Sequence, residues 1–343
     1  MNPSASTPGE APLRVTIAGA GAIGCTLAVR LSMGGNPVNL LARGNTLATI
    51  REHGVSLTDL DGEHIAHVNT GELADFGPQD VIFLCAKAQD LLGLCTPLLP
   101  LINEQTTVIP VVNGIPWWYF ENLEGRHAGR TVASVDPEGR LKALIPGDRI
   151  VGTVAYITAE KLRPGAARTA NPMRMIIGEL SNANTPRVRR IQAMLEKSGI
   201  STQISERIRD ALWTKVIANL TSNPLSVVSG GTLREIYGDP ELMKVTRHIL
   251  DEALLTAAAF GARIDLDPAS FMAMGASMGE VRTSMLQDYD HGLPLELTSI
   301  GEAVVELAAL HGLSMPATTT ILTLARFRGA LSRKRMNHQK EKA

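Results

Sequence analysis

The sequence predicts an α/β N-terminal domain with a doubly wound parallel sheet, followed by an all-α C-terminal domain. Three observations predict it. The short β-branched run "LRVTIAG" (Leu13 to Gly19) passes directly into a glycine-rich turn and then an apolar helical pattern. Further strand-like runs, "PVNLLAR", "DVIFLCAK" and "TTVIPVVNG", recur through the first half of the chain. From about Glu206 onward such runs disappear, and segments such as "ELMKVTRHILDEALLTAAAFGA" carry helical periodicity and end near a glycine.

The first run leads into Gly19-Ala20-Gly21-Ala22-Ile23-Gly24, whose glycines fit G-x-G-x-x-G. "CTLAVRLSMGG" follows as a helix with a Gly-Gly stop, then the strand "PVNLLAR". This strand–turn–helix–strand setting is the one a Rossmann-type dinucleotide site requires. Gly19 permits the tight turn, Gly21 lets the backbone approach a pyrophosphate, and Gly24 lets the helix pack closely on the strand. The free N–H groups of the helix N-terminus suit the anion. The second strand ends at Arg43, where sites for NAD usually carry an acid. A guanidinium suits a ribose 2′-phosphate, so the cofactor expected is NADPH, with NADP+ as its oxidised form; otherwise Arg43 is a surface residue.

The next two strands end near Lys87 and near Asn113-Gly114. Ligands of open parallel sheets bind beyond the carboxyl ends of strands, which makes both candidates for cofactor or substrate contact. Either is also an ordinary polar residue where a strand becomes a loop. "IPWWYF" follows, bringing Trp117, Trp118, Tyr119 and Phe120 together. Such a run is either loop core or the wall of a pocket. The polar, Gly/Pro-containing stretch "SVDPEGRLKALIPGDR" (134–149) precedes the next strand. "RIVGTVAYITAEKL" and "MRMIIGEL", with turn-rich "LRPGAARTANP" between them, read as a hairpin-like antiparallel addition to the sheet.

The helical half opens on "ALWTKVIANLTSNPLSVVSGG" (Ala211 to Gly231). Lys215, Asn219 and Asn223 stand at i, i+4 and i+8, within roughly 80° of one another on a helix, and Ser222 and Ser226 join the stripe. Such a stripe is either a solvated face or a dry site built of fixed donors. Two asparagines a turn apart favour the second, because Asn is a poor helix former. Pro224 is expected to kink the helix and aim Asn223. Further on, Glu296 sits among Leu293, Leu295 and Leu297, twelve residues after Ser284. A carboxylate there faces solvent or meets a partner such as Lys215 or a substrate hydroxyl. The reading divides the chain into a disordered N-terminus (1–12), a dinucleotide-binding domain (13–206), a helical substrate and dimerisation domain (207–332) and a solvated, disordered basic tail (333–343).

The composition sets outer limits. The chain has 343 residues, 44% hydrophobic and 20% charged, with a formal net charge of −1. That balance gives no case for a nucleic-acid or membrane partner, and no run of about 18 apolar residues suggests a membrane span. Cys25, Cys85 and Cys95 lack metal or C-x-x-C spacing and suit small core residues in a reducing cytoplasm. His248, His291 and His311 are scattered, and no metal is expected.

In its GAGAIG turn with Arg43, the Asn-Gly at 113, "LWTKVIANLTSNPLS", and "SMLQD" followed by Glu296, the chain resembles the ketopantoate (2-dehydropantoate 2-reductase) family from Leu13 to about Ser332. The resemblance implies a Rossmann domain followed by an all-helical domain, with NADPH and a 2-oxo acid in the cleft. It also implies reduction of 2-dehydropantoate to pantoate, in pantothenate biosynthesis. By the same resemblance Lys215 is the catalytic lysine, and Asn219 and Asn223 hold the substrate. Ser284 binds its carboxylate region, Glu296 its hydroxyl, and Asn113 and Lys87 lie near nicotinamide and substrate. A homodimer is implied too. The chain departs from the family pattern at "IPWWYF", at 134–149, and at Thr298, where the family usually has Asp. Two other readings therefore stay open: a related reductase of a bulkier 2-oxo acid, or a redox sensor that binds NADP(H) without turnover.

Overall fold

The structure, a computed structural model, describes residues 11–71, 73–265 and 267–342. Residues 1–10, most of the segment expected to be disordered, lie outside the described residues. The chain forms two compact units, and the boundary is not a single cut near residue 206. The first unit takes residues up to Ala86, Gly93–Val111 and Asp148–Glu206; the second takes Lys87–Leu92, Val112–Gly147 and Arg207 onward.

The first unit is the α/β one. Strand β1 (Val15–Ala18) is wholly buried and runs through the glycine turn into helix α1 (Ala22–Met33). Then come β2 (Val38–Leu41), α2 (Gly44–His53), the hairpin β3 (Val55–Asp59) and β4 (Gly62–Ala66), and α3 (Leu73–Phe76). β5 (Val81–Leu84), α4 (Leu91–Cys95) and β6 (Thr107–Pro110) complete the parallel sheet, whose order is β2-β1-β5-β6. Its strands are short apolar runs because both faces are covered. Val15, Ile17, Leu40, Phe83 and Ile109 share one core with Leu27 and Leu31 of α1, each such side chain contributing about 1.5–3 kcal/mol on burial.

Residues 112–147, which carry α5 (Arg140–Leu144), group with the second unit. The chain then returns as β7 (Val151–Tyr156), β8 (Ala159–Arg163), β9 (Ala166–Thr169), β10 (Arg174–Glu179), α6 (Pro186–Lys197) and β11 (Ser201–Ile204). β7 and β10 pair antiparallel, as expected. The stretch between them is not a plain turn. It forms the hairpin β8–β9, and β9 pairs in parallel with β3, giving a separate sheet of order β4-β3-β9-β8.

The second unit is helical. Helix α7 (Ile208–Ser229) buries Ile208, Leu212, Trp213, Val216, Ile217 and Leu220, and it ends where Gly230 adopts a left-handed conformation (φ 78) and donates to Ser226 O. The helix is not broken at Pro224, which lies inside it. Then follow α8 (Leu233–Gly238), α9 (Pro240–Ala259), α10 (Pro268–Ser277), α11 (Ser284–Asp290), a π-helical turn at Thr298–Glu302, α12 (Ala303–Ala309) and α13 (Pro316–Lys342). Glu252 of α9 caps α13 by accepting from Ala317 N and Thr318 N, both at 2.9 Å. The basic tail expected to be disordered instead continues α13, since Lys, Arg and Gln are good helix formers with nothing there to stop them.

The aromatic run belongs to the core of this unit. Trp117, Trp118, Tyr119 and Phe120 are each 1% exposed or less. Trp213 Nε1 of α7 donates to Tyr119 Oη at 2.8 Å, and Phe260 packs edge-on to Tyr119. Of its two expected roles, the run takes the structural one. The 134–149 stretch is ordered as well: Asp136 caps α5 through Leu141 N and Lys142 N, and Glu306 of α12 accepts from Ala133 N and Ser134 N. No helix among the described residues is long and apolar enough to cross a membrane.

Candidate active site

Two sets of residues carry chemistry, one in each unit. In the first unit, the turn from Gly19 to Gly24 is shaped by close backbone approach. Gly19 has φ +109, and a Cβ there would lie 2.4 Å from Cys85 O. A Cβ on Gly24 would fall 1.8 Å from Gly19 O. Gly21 differs: nothing lies within 4 Å of the place its Cβ would occupy. Gly21 is also the N-cap of α1, whose first turn has no side-chain cap and no acidic residue. Ala20, Ala22 and Ile23 thus frame a turn with room above its middle glycine and uncommitted N–H groups, a cradle that fits a pyrophosphate. Arg43 is exposed, two residues beyond β2, and is the residue preceding α2. Cys25, Cys85 and Cys95 are buried free thiols; burial pushes Cys25 up to about 11 and Cys95 to about 12, so none is a thiolate at neutral pH.

In the second unit, α7 carries Lys215, Asn219 and Asn223 on one face, as the spacing requires. The stripe is not a solvated face. Asn223 is 4% exposed and Ser226 is fully buried, while Lys215 and Asn219 are half-buried. Among the described residues, the Asn219 amide and the Asn223 amide nitrogen are without a hydrogen-bond partner. Although Lys215 keeps some exposure as a residue, burial of its ammonium brings its pKa down to about 8, and the carboxylate of Glu296 opposes that fall. Glu296 moves the other way. Burial raises its pKa, and Lys87, the Asn113 amide and the Ala88 N–H hold it back.

Lys215, Glu296, Asn113 and Lys87 therefore belong to one electrostatic cluster, although their codons are far apart. The cluster has a member that the sequence did not single out. Asp288 of α11 accepts from Lys87 Nζ at 2.7 Å, and Pro294 O accepts from the same ammonium at 3.0 Å. Lys87, expected near nicotinamide and substrate, groups with the helical unit as a neighbour of Glu296. Asp288 stands in "SMLQD", yet nothing in the local sequence marks it as the partner of a lysine 201 residues away.

The backbone that presents Asn113 and Glu296 is locked from behind. Gly114 (φ +84) lies against Ser299, and a Cβ there would meet the Ser299 carbonyl at 2.2 Å. Ile115 N donates to Ser299 O at 2.7 Å. Ser299 sits in the π-helical turn that opens at Thr298, two residues after Glu296, and such turns are frequent at functional sites. Ser284 is exposed at the first position of α11. Its neighbour Thr283 is the buried N-cap of that helix, with Oγ1 2.6 Å from Ser226 Oγ on α7. Among the described residues there is no group of three or more His, Cys, Asp or Glu that could hold a metal ion.

In comparison with known proteins, two family models match successive stretches of the chain. The family described as Ketopantoate reductase PanE/ApbA matches residues 15–182, and its C-terminal counterpart matches residues 207–329. The chain is 33% identical to a 2-dehydropantoate 2-reductase of Mesorhizobium japonicum over 316 residues, covering 92% of this chain and 97% of the relative. The crystal structure of a candidate ketopantoate reductase from Ralstonia solanacearum MolK2 matches with a TM-score of 0.89 and 34% identity, over 94% of this chain and 99% of that one. Two structures share the fold at lower identity. D-mandelate dehydrogenase with NADH and anilino(oxo)acetate has a TM-score of 0.78 at 21% identity, over 93% of this chain and 99% of that one. The ketopantoate reductase of Staphylococcus aureus, described as dimeric, has 0.73 at 22%, again over 93% and 99%. The chain belongs to the ketopantoate reductase family, an oxidoreductase family of Rossmann-type and helical domains.

Proposed function

We propose that this chain is an NADPH-dependent reductase that converts a 2-oxo acid, 2-dehydropantoate, to the 2-hydroxy acid pantoate. One observation carries the reading: a lysine with its pKa brought down to about 8 shares a half-buried helix face with two amides that lack protein partners. The turn Gly19–Gly24 would hold the pyrophosphate of the dinucleotide, and Arg43 its 2′-phosphate. When bound, the dinucleotide supplies the hydride.

The residues of this chain do the rest. Reduction of a ketone places negative charge on its oxygen, and Lys215 stabilises that charge and donates the proton. An ammonium with a pKa near 8 is charged at neutral pH and gives up its proton more readily than an ordinary lysine. Asn219 and Asn223 orient the acid with donors already fixed on the helix. Glu296 accepts from the substrate hydroxyl, and the Asn113 amide steadies that carboxylate. Ser284 takes the carboxylate end. Lys87, held by Asp288, brings a positive charge near Glu296, so that the buried carboxylate is not left alone, although the Asp288 charge itself opposes ionisation of Glu296. A homodimer in the cytoplasm fits the dimeric relative and the three buried thiols.

The test is loss of reduced-nicotinamide absorbance with purified protein, against 2-dehydropantoate and a panel of small and bulky 2-oxo acids, with NADPH and NADH each supplied. Turnover with 2-dehydropantoate and a preference for NADPH is expected. Turnover confined to a bulkier acid would replace the substrate and keep the chemistry. Tight NADPH binding with no turnover would make the chain a sensor.

A further inference from the structure

The Asn223 backbone carbonyl on α7 and Thr283, the residue before Ser284 on α11, are joined through the Ser226 hydroxyl. Ser226 Oγ lies 2.7 Å from Asn223 O and 2.6 Å from Thr283 Oγ1. Thr283 Oγ1 also accepts from Leu286 N at 3.1 Å. Each hydroxyl has one proton, so a single assignment satisfies all three contacts. Ser226 donates to the Asn223 carbonyl, Thr283 donates to Ser226, and the Leu286 N–H donates to Thr283. The relay is dry: Ser226 is 0% and Thr283 6% exposed.

Two of these bonds are ordinary by themselves. A threonine N-cap accepts a backbone N–H, and an in-helix serine returns its proton to its own helix. The bond between the two side chains is not explained by either habit. It links positions 57 residues apart and fixes where α11 begins relative to one turn of α7. That turn needs fixing, because Pro224 has no N–H to give the Leu220 carbonyl and the helix is weakest beside Asn223.

We propose that the Ser226–Thr283 hydroxyl pair is a positioning couple for the substrate. It sets the separation of Asn223 and Ser284, and so the span into which the 2-oxo acid fits. This rests on the reading that those two residues contact the acid. The pair touches no reacting atom, so its loss loosens the grip on the acid and leaves the proton-donating step alone.

Steady-state kinetics of the full chain with saturating NADPH and varied 2-dehydropantoate test this. Ser226→Ala removes the link but keeps the Thr283 cap on Leu286. It raises KM for the acid roughly three- to tenfold, with kcat within about twofold and NADPH affinity unchanged. Thr283→Ser keeps the hydroxyl and stays near wild type. If Ser226→Ala does not fold, the near-isosteric Ser226→Cys carries the same test. An unchanged KM in the Ser226 variant, beside a raised KM in Asn223→Ala, overturns the proposal alone. So does a fall in thermal stability and NADPH affinity without a change in KM, which marks a purely structural link. An inactive wild-type chain, or an unchanged KM in Asn223→Ala itself, brings down the underlying reading and the couple with it.

Discussion

The glycine turn and the Lys215 cluster are built by opposite means. The turn is six consecutive residues, and its shape depends on what is missing: Cβ atoms at Gly19 and Gly24, and anything above Gly21. The cluster is drawn from five places along the chain, and its character lies in charges placed near one another and buried. A backbone cradle is specified locally and fails by steric insertion. A side-chain cluster is specified by the fold and fails by a lost charge or a lost strut. Mutations should therefore separate the two, one set acting on cofactor affinity and the other on turnover and its pH dependence.

The largest effect is expected at Lys215. Lys215→Ala should lower kcat by about 10²–10⁴ while leaving the NADPH dissociation constant unchanged; near-wild-type turnover would remove lysine from the chemistry. Next comes the turn. Gly24→Ala inserts a Cβ 1.8 Å from Gly19 O. It should weaken NADPH binding, followed by nucleotide fluorescence, by at least about tenfold, or roughly 1.4 kcal/mol. Unchanged affinity would mean that the turn does not hold the cofactor.

The pH profile sharpens the contrast. In the proposed mechanism reduction uses the Lys215 ammonium, so kcat should fall as pH rises through about 8. The Glu296 carboxylate raises that pKa against the lowering by burial. Glu296→Gln removes the raising charge, so the descending limb should move to lower pH, beyond any loss of rate. A limb that stays in place would separate the two groups electrostatically. The smallest effect on activity belongs to the aromatic core. Tyr119→Phe leaves the Trp213 N–H buried without its acceptor. It should cost about 1–3 kcal/mol in thermal or denaturant unfolding with KM nearly unchanged. A changed substrate preference would return the aromatic run to the pocket wall.

What the sequence made legible follows from the same contrast. The turn was readable because strand, glycines and helix are contiguous, and the stripe because 3.6-residue periodicity puts Lys215, Asn219 and Asn223 on one face. The burial of that stripe was inferred only from its composition. Lys87–Asp288 was illegible because no local pattern pairs residues so distant. The aromatic run was ambiguous because its burial depends on Trp213 and Phe260, supplied much later in the chain. "LRPGAARTANP" looked like a turn because it is rich in Gly, Pro and small residues; β9 forms there because β3 offers it an edge. The tail was misread because charge suggested solvation, whereas helix propensity and the capped start of α13 decided its form.

The second unit is interleaved with the first along the chain, taking residues 87–92 and 112–147 before it resumes at Arg207. During translation, Trp117 to Phe120 leave the ribosome long before the helix that will cover them: Tyr119 precedes its partner Trp213 by 94 residues. The nascent chain must carry an uncovered aromatic tetrad while the last part of the α/β unit, Asp148–Glu206, is still being made. A fragment beginning at Arg207 would lack that tetrad, the Asn113 amide and Lys87 together. The helical unit is thus unsuited to separate expression, and shuffling it onto another nucleotide-binding domain would require transplanting three stretches of sequence rather than one.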